Sequence, residues 1–198
     1  MLISVEGCVG AGKSTVAKGL AAYRTRNTLL EKFEQNPFLP AFYEDPVGNA
    51  VETEFTFLLL HFHQLKRCAG EIARHEVFAD FHLGKDVIYA ELNLPSEPLR
   101  IFKELHDVLV AQVASPALMI CLSASTELLV DRIQQRNREM ELKIDTGYFG
   151  TINGAYEQFF GSYKGRKLQI SMNEWDFVKA PNLFEKLSRL VDAELANL

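Results

Sequence analysis

The chain has 198 residues, of which 47% are hydrophobic and 24% charged, enough for one globular domain with a sizeable buried core. Its net charge of −5 argues against duplex nucleic acid as a partner, because proteins that bind it usually carry a basic face. No apolar run approaches the roughly 20 residues that span a bilayer, which argues against a membrane protein. Glu6 and Gly7 interrupt the short apolar start, so we expect no signal peptide and a cytoplasmic location. Cys8, Cys68 and Cys121 have no paired spacing, which argues against disulfides and structural zinc.

Strand-like apolar runs alternate with helical patterns along the whole chain. In chain order the patterns predict a strand (2–6), a helix (13–23), a strand (28–30), a long helix (49–75), a strand (76–80), a helix (99–113), a strand (117–122), two helices (125–138 and 144–160), a strand (167–171) and a closing helix (182–195). Three- and four-residue spacing predicts the inner face of the long helix: Phe55, Leu58, Leu59, Phe62, Leu65 and Ile72. We therefore predict a single doubly wound α/β domain over residues 1–198, with a five-stranded parallel sheet flanked by helices.

Residues 7–15 form the strongest motif in the chain. They read Gly-Cys-Val-Gly-Ala-Gly-Lys-Ser-Thr, which fits the phosphate-binding P-loop pattern G-x-x-x-x-G-K-[ST] between a buried strand and a helix. Backbone N–H groups and the helix N-terminus would surround phosphate oxygens. Lys13 is predicted to reach the β- and γ-phosphates, and Ser14 to hold Mg²⁺. A chance glycine-rich turn is the alternative, and the correct flanks argue against it.

A second segment, at about 132–143, indicates which class of P-loop protein this is. Arg132 and Arg136 would share one helical face, with Arg138 where that helix ends. Such a segment closes over phosphates as a lid in small-molecule kinases, although an ordinary solvated helix face is the alternative. The chain also lacks the Asn-Lys-x-Asp motif of GTP-binding switch proteins and the Ser-Gly-Gly signature of transport ATPases. The predicted ATP- and phosphate-binding residues are Gly7, Gly10, Ala11, Gly12, Lys13, Ser14, Thr15 and Arg132.

Several further segments, in order and spacing, resemble the deoxynucleoside kinase family nearly end to end. They are Asn-Pro-Phe-Leu at 36–39, Phe-Tyr-Glu-Asp-Pro at 42–46, Ala-Asp-Phe-His at 79–82 and Arg-x-Arg-x-x-Glu at 136–141. The similarity is greatest to the bacterial deoxyguanosine kinase branch, which carries Asp-Tyr-His where relatives carry Asp-Arg-Ser. The resemblance implies transfer of the γ-phosphate of ATP, with Mg²⁺, to the 5′-hydroxyl of a deoxynucleoside.

The resemblance also implies a general base after the second strand, at Glu31, which would take the proton from the 5′-hydroxyl. Glu34 is the runner-up, because the usual Glu-Pro-Val run is Glu-Lys-Phe here. The implied catalytic residues are Lys13, Glu31, Arg136 and Arg138. Tyr43 and Glu141 match the pair that binds the sugar 3′-hydroxyl.

At the metal side, Asp80 matches the acidic residue of the Asp-Arg-Ser motif, so Ser14 and Asp80 are the predicted metal residues. Phe81 stands where the motif has its arginine. Lys85 or a lid arginine would have to take the place of that arginine, and the sequence does not say which.

Glu54, on the long helix, stands where many family members carry a base-reading Gln. A Gln amide offers one donor and one acceptor, whereas a carboxylate only accepts, and guanine presents two adjacent donors, N1–H and N2–H₂. Glu54 therefore favours guanine, unless it is a solvent-facing helix residue. The resemblance places Asp86, His61 and Tyr89 beside the base as well.

Three other functions remain open on the sequence. A kinase for deoxyadenosine or another deoxynucleoside would differ only in the base pocket. A nucleoside monophosphate kinase would need a basic site for its acceptor phosphate, and residues 27–61 offer only Lys32. A non-catalytic nucleotide-binding regulator is compatible with the missing arginine. The expected partners are a nucleoside and ATP, with a homodimer compatible with the long apolar helix.

Overall fold

The computed structural model describes residues 1–138 and 146–196. Five strands form one sheet in the spatial order β2-β3-β1-β4-β5, and each neighbouring pair is parallel. The fully buried β1 lies at the centre, as expected for a strand between two covered faces. These features confirm the predicted five-stranded parallel sheet. The strands are β1 (Leu2–Gly7), β2 (Asn27–Leu29), β3 (Val77–Ala79), β4 (Leu118–Ser123) and β5 (Lys167–Ser171).

Helices cover both faces of this sheet, which confirms the predicted doubly wound architecture. They are α1 (Lys13–Arg24), α2 (Leu39–Glu44), α3 (Pro46–Arg74), α4 (Gly84–Asn93), α5 (Ser96–Val110), α6 (Thr126–Arg136), α7 (Thr146–Ser162) and α8 (Leu183–Leu195). One hydrophobic core includes Leu20 of α1 and Leu187 of α8. The other includes Leu58 of α3 and Phe102 of α5. No helix among residues 1–138 and 146–196 is long and apolar enough to cross a membrane.

Three elements were not predicted: α2, α4 and a single 3-10 turn at Phe33–Gln35. The reason is clearest for α4, whose buried side mixes the charged Lys85 and Asp86 with Ile88 and Ala90. The prediction of which residues form the inner face of α3 was partly wrong for the same reason. Leu59 is 50% exposed, whereas the polar Glu54 and His61 of α3 are buried. Polar residues that face a site disguise the helical period that hydrophobic residues alone would show.

The chain leaves β1, β2 and β3 at the same edge of the sheet, because parallel strands end on one side. The P-loop follows β1, Glu31 follows β2 and Asp80 follows β3. The strand order also reverses at β1, since β3 lies on one side of it and β4 on the other. Ligands of open α/β sheets bind at such a switch point, outside the carboxyl ends of the strands.

Candidate active site

The P-loop after β1 has a left-handed backbone conformation at two of its glycines. Gly10 and Gly12 have positive φ angles of 84° and 94°, which side chains other than glycine rarely adopt. A Cβ atom on Gly10 would lie 2.8 Å from the carbonyl oxygen of Leu129. Lys13 Nζ folds over the loop and donates to the carbonyl oxygens of Gly7, at 2.7 Å, and Cys8, at 3.3 Å. The loop therefore forms an amide-lined cradle with one ammonium group above it.

A cavity of about 760 Å³ extends from this loop to α3 and α4. It collects most of the predicted site residues: Gly10, Gly12, Lys13, Ser14, Thr15, Glu31, Tyr43, Glu54, Asp80, Asp86, Tyr89, Arg132, Arg136 and Arg138. Gly7 and Ala11 support the loop from beneath, where a Cβ on Gly7 would lie 2.8 Å from the carbonyl oxygen of Leu122. Glu141, predicted to bind the 3′-hydroxyl beside Tyr43, lies outside the described residues.

Ser14 and Asp80 meet at the P-loop end of the cavity. Ser14 Oγ donates a hydrogen bond to Asp80 Oδ2, and Asp80 Oδ1 accepts from the backbone N–H of Glu31 at 2.7 Å. Hydroxyl and carboxylate oxygens are the donors that Mg²⁺ prefers, and kinases complete its shell with phosphate and water. Within the described residues, no group of three His, Cys, Asp or Glu side chains could hold a metal by itself. The pair thus fits a magnesium ion that is shared with a substrate phosphate.

Glu31 lies at the centre of an ionic network in the wall of the cavity. Its Oε1 accepts from Lys85 Nζ at 2.6 Å and from His61 Nε2 at 2.9 Å. Burial acts to raise the pKa of Glu31, but the Lys85 ammonium and His61 outweigh it and hold that pKa well below its usual range. Glu31 is therefore ionised at any physiological pH. Lys85 is one of the two candidates for the place of the missing arginine, and it contacts the predicted base directly.

His61 does not lie where the resemblance put it. It is 1% exposed, between the rings of Phe57 and Phe81, and does not line the cavity. Burial acts to lower its pKa, but Asp86 and Glu31 raise the pKa of His61 to about 9. The imidazolium then donates from Nδ1 to Asp86 Oδ1 at 2.8 Å as well as from Nε2 to Glu31. His61 thus lies behind the wall of the cavity, where its two ring nitrogens hold the carboxylates of Asp86 and Glu31 in place.

At the other end of the cavity Glu54 is 3% exposed, so it is not a solvent-facing helix residue. Its Oε1 accepts from Asn93 Nδ2 at 2.7 Å. Burial and the nearby Asp86 raise the pKa of Glu54 to about 7, although the Asn93 bond lowers it. Asp86 Oδ2 and Thr53 Oγ1 are buried in this wall without a hydrogen-bond partner among the described residues. Buried oxygens of this kind normally bind a donor, so this end suits a ligand rich in N–H groups.

The arginine-rich segment reaches the cavity from α6. Asn137 adopts a left-handed backbone with φ 53° and ends the helix, which leaves Arg138 beyond it, as predicted. Arg132 donates from Nη1 to the carbonyl oxygen of Ala11 at 3.2 Å. The Arg138 guanidinium lies over the ring of Phe33, 4.3 Å from its centroid. The three arginines of the predicted lid therefore all line the cavity, and Arg132 contacts the P-loop.

Sequence reasoning missed Asn93 and Tyr148, which stand behind Glu54, and Phe33 beneath Arg138. It also gave no role to the segment after β5, although Met172, Asp176, Phe177, Val178 and Lys179 line the cavity. One signal was available for α4. Lys85, Tyr89 and Asn93 recur every four residues, so they share one face of a helix.

The chain matches the family model for deoxynucleoside kinases over residues 3–196. It is 32% identical to a deoxyguanosine kinase of Bacillus subtilis (strain 168), over 78% of this chain and 76% of the relative. It is 25% identical to a deoxyadenosine/deoxycytidine kinase of the same bacterium, over 94% of this chain and 89% of that one. A solved structure of a deoxyadenosine kinase from M. mycoides superposes with a TM-score of 0.83 at 24% identity, covering 96% of this chain and 100% of that chain. The chain therefore belongs to the deoxynucleoside kinase family, which confirms the family and the kinase class predicted from its sequence.

Proposed function

We propose that this single-domain enzyme transfers the γ-phosphate of ATP to the 5′-hydroxyl of deoxyguanosine. The observation that carries the proposal is one cavity with a P-loop lysine at one end, an ionised carboxylate in the middle and a buried carboxylate at the other end. The two ends suit a triphosphate and a base, and Glu31 lies between them. The cavity volume of about 760 Å³ lies within the roughly 300–1,000 Å³ that is typical of small-molecule pockets, so the cavity is large enough for a nucleoside.

Donor and acceptor counting supports guanine at the Glu54 end. Glu54 Oε2 makes no hydrogen bond within the described residues, and Asp86 Oδ2 has no partner either. Both are acceptors, whereas guanine presents N1–H and N2–H₂. Adenine would place its N1 acceptor against a carboxylate, and an unmatched buried polar pair costs about 1–3 kcal/mol. Deoxyadenosine is the second candidate, since one of the relatives above carries that name and is similar over most of the chain.

In the proposed reaction the 5′-oxygen attacks the γ-phosphorus in line. A bond forms between the 5′-oxygen and phosphorus, the bond to the β–γ bridging oxygen breaks, and the hydroxyl proton passes to Glu31. Lys13 and the lid arginines stabilise charge on the transferred group. A magnesium ion held by Ser14 and Asp80 would neutralise phosphate charge when bound. Glu31 needs little basicity, because a loose transition state transfers the proton late.

Lys85 is proposed to serve in place of the arginine that Phe81 replaces. Its Nζ lies 2.6 Å from Glu31 and it belongs to the wall of the same cavity, so it can hold Glu31 and approach the 5′-oxygen. The buried carboxylates around it raise the pKa of Lys85 in spite of its burial, which keeps the ammonium charged.

Replacing Glu54 with Gln should reverse the base preference. The change exchanges one acceptor for a donor, which mismatches guanine and suits the adenine edge. We expect the ratio of kcat/KM for deoxyguanosine over deoxyadenosine to fall by about 5- to 150-fold. Deoxyinosine, which lacks the exocyclic amine, should be a weaker substrate of the parent enzyme. Glu52→Gln, on the exposed side of the same helix, is the matched control. A parent enzyme that prefers deoxyadenosine would contradict the guanine assignment.

Replacing Lys85 with Met should shift the pH dependence of kcat. Lys85 lowers the pKa of Glu31, so its loss should raise that pKa toward the ordinary value of a glutamate. Glu31 accepts the proton only when ionised, and therefore the pH below which kcat falls should move upward. The measurement is kcat against pH with saturating deoxyguanosine and Mg·ATP. Lys103→Met, which breaks an exposed ion pair with Glu91, should leave the profile in place. An unmoved acid limb in Lys85→Met would exclude this role.

A further inference from the structure

The carboxylate of Glu54 is oriented by a chain of two hydrogen bonds that starts on a different helix. Tyr148 of α7 donates from its hydroxyl to Asn93 Oδ1 at 3.1 Å. Asn93, the last residue of α4, donates from Nδ2 to Glu54 Oε1 at 2.7 Å. The amide nitrogen of Asn93 thus faces Glu54 and its amide oxygen faces Tyr148, an arrangement that suits the ionised form of Glu54, because an ionised carboxylate can only accept.

We infer that Asn93, held by the Tyr148 hydroxyl, is a positioning residue for base selection, which binds one oxygen of Glu54 and presents the other to the base. Asn93 itself does not line the cavity, whereas Glu54 and Tyr148 do. Asn93 thus acts through Glu54 and not on the substrate. The inference rests on the proposed function, in which Glu54 reads the base.

The same bond also influences which protonation state Glu54 has. The charged and polar groups around its carboxylate come from three helices: His61 of α3, Lys85, Asp86 and Asn93 of α4, and Tyr148 of α7. Burial and Asp86 raise the pKa of Glu54 to about 7, and the Asn93 bond opposes them. Without Asn93 that pKa should rise further, so that more Glu54 is protonated at neutral pH. A protonated carboxyl presents a donor to guanine, which also presents donors.

The first test compares Asn93→Ala and Tyr148→Phe with the parent enzyme. We expect Asn93→Ala to lower kcat/KM for deoxyguanosine by about 5- to 30-fold, mainly through KM, with a smaller effect on deoxyadenosine. Tyr148→Phe should act in the same direction but less, because Asn93 and its bond to Glu54 remain in place. Tyr163→Phe, in which a half-buried tyrosine beside His82 loses its hydroxyl, is the control that should change nothing. Equal loss on both nucleosides would show a merely structural role.

The second test repeats Asn93→Ala in a Glu54→Gln background. There Asn93 should bind the amide oxygen of Gln and turn its NH₂ group toward the base. Removing Asn93 should then harm deoxyadenosine, the substrate that this amide suits, more than deoxyguanosine. The substrate that loses more kcat/KM should therefore switch from deoxyguanosine to deoxyadenosine. The effects of the two substitutions would then be non-additive, as expected for two residues that act as one unit. If the two substitutions are additive, Asn93 does not act through Glu54.

The third test separates this inference from the guanine proposal. Titration of glutamate carboxyls by ¹³C NMR, with the Glu54 signal assigned by its loss in Glu54→Gln, gives the pKa of Glu54 without any substrate. Asn93→Ala should raise it, and an unmoved pKa would overturn the inference. A parent enzyme that prefers deoxyadenosine would instead contradict the guanine proposal, whatever the titration shows.

Discussion

Lys13→Ala should reduce turnover by about 10²- to 10³-fold or more, which is the effect of removing one preorganised donor from a developing charge. Lys13 is the only charged residue within the P-loop at 7–15. Its Nζ already lies over the loop, 2.7 Å from the carbonyl oxygen of Gly7, where the β- and γ-phosphates of ATP are proposed to bind. No other side chain of the loop can supply that charge.

The measurement is kcat with saturating deoxyguanosine and Mg·ATP, together with the circular dichroism spectrum and melting temperature of the variant. Alanine is a strong helix former at the first position of α1, so the fold should survive. Lys164→Ala, an exposed lysine after α7, is the matched control and should keep full turnover. Unchanged turnover in folded Lys13→Ala would remove the assignment of the phosphate site.

Glu31→Gln should lower kcat by about 10²- to 10⁴-fold while nucleoside binding weakens far less, as expected for loss of a general base. Gln keeps the shape of the side chain and can still accept from Lys85, but it cannot take the 5′-hydroxyl proton. The charge balance changes as well, since Lys85 and His61 both lie within 3 Å of the Glu31 carboxylate. A check of the melting temperature separates lost stability from lost chemistry.

Glu34→Gln is the informative comparison, because Glu34 is the other carboxylate that the sequence offers for this role. Glu34 is exposed, whereas Glu31 is only partly exposed and its backbone N–H donates to Asp80 Oδ1. We expect Glu34→Gln to retain most of kcat. A crippled Glu34→Gln with a mild Glu31→Gln would move the base to Glu34.

Features encoded by consecutive residues could be predicted from the sequence. The P-loop is the clearest case. Its glycine spacing, the buried strand before it and the helix after it follow one another directly in the sequence, so no contact between distant residues is needed to recognise it. The five strands and the longer helices could be predicted in the same way, from the spacing of hydrophobic residues along the chain. The predictions of Glu31 and Glu54 came from the order of short segments along the chain, which also identified the family, and that of the lid arginines came from their helical spacing.

Contacts between distant residues were decided only by the tertiary structure. Lys85 meets Glu31 across 54 positions, and Asn93 meets Glu54 across 39. The first contact depends on how α4 lies against the segment after β2 and the second on how α4 packs against α3, and one residue of shift turns a helical side chain by about 100°. Sequence resemblance placed His61 beside the base, yet the packing of Phe57 and Phe81 holds it behind the wall, between two carboxylates. Polar residues interrupt the hydrophobic pattern on the buried sides of α3 and α4, so the residues that surround the site were the hardest to predict.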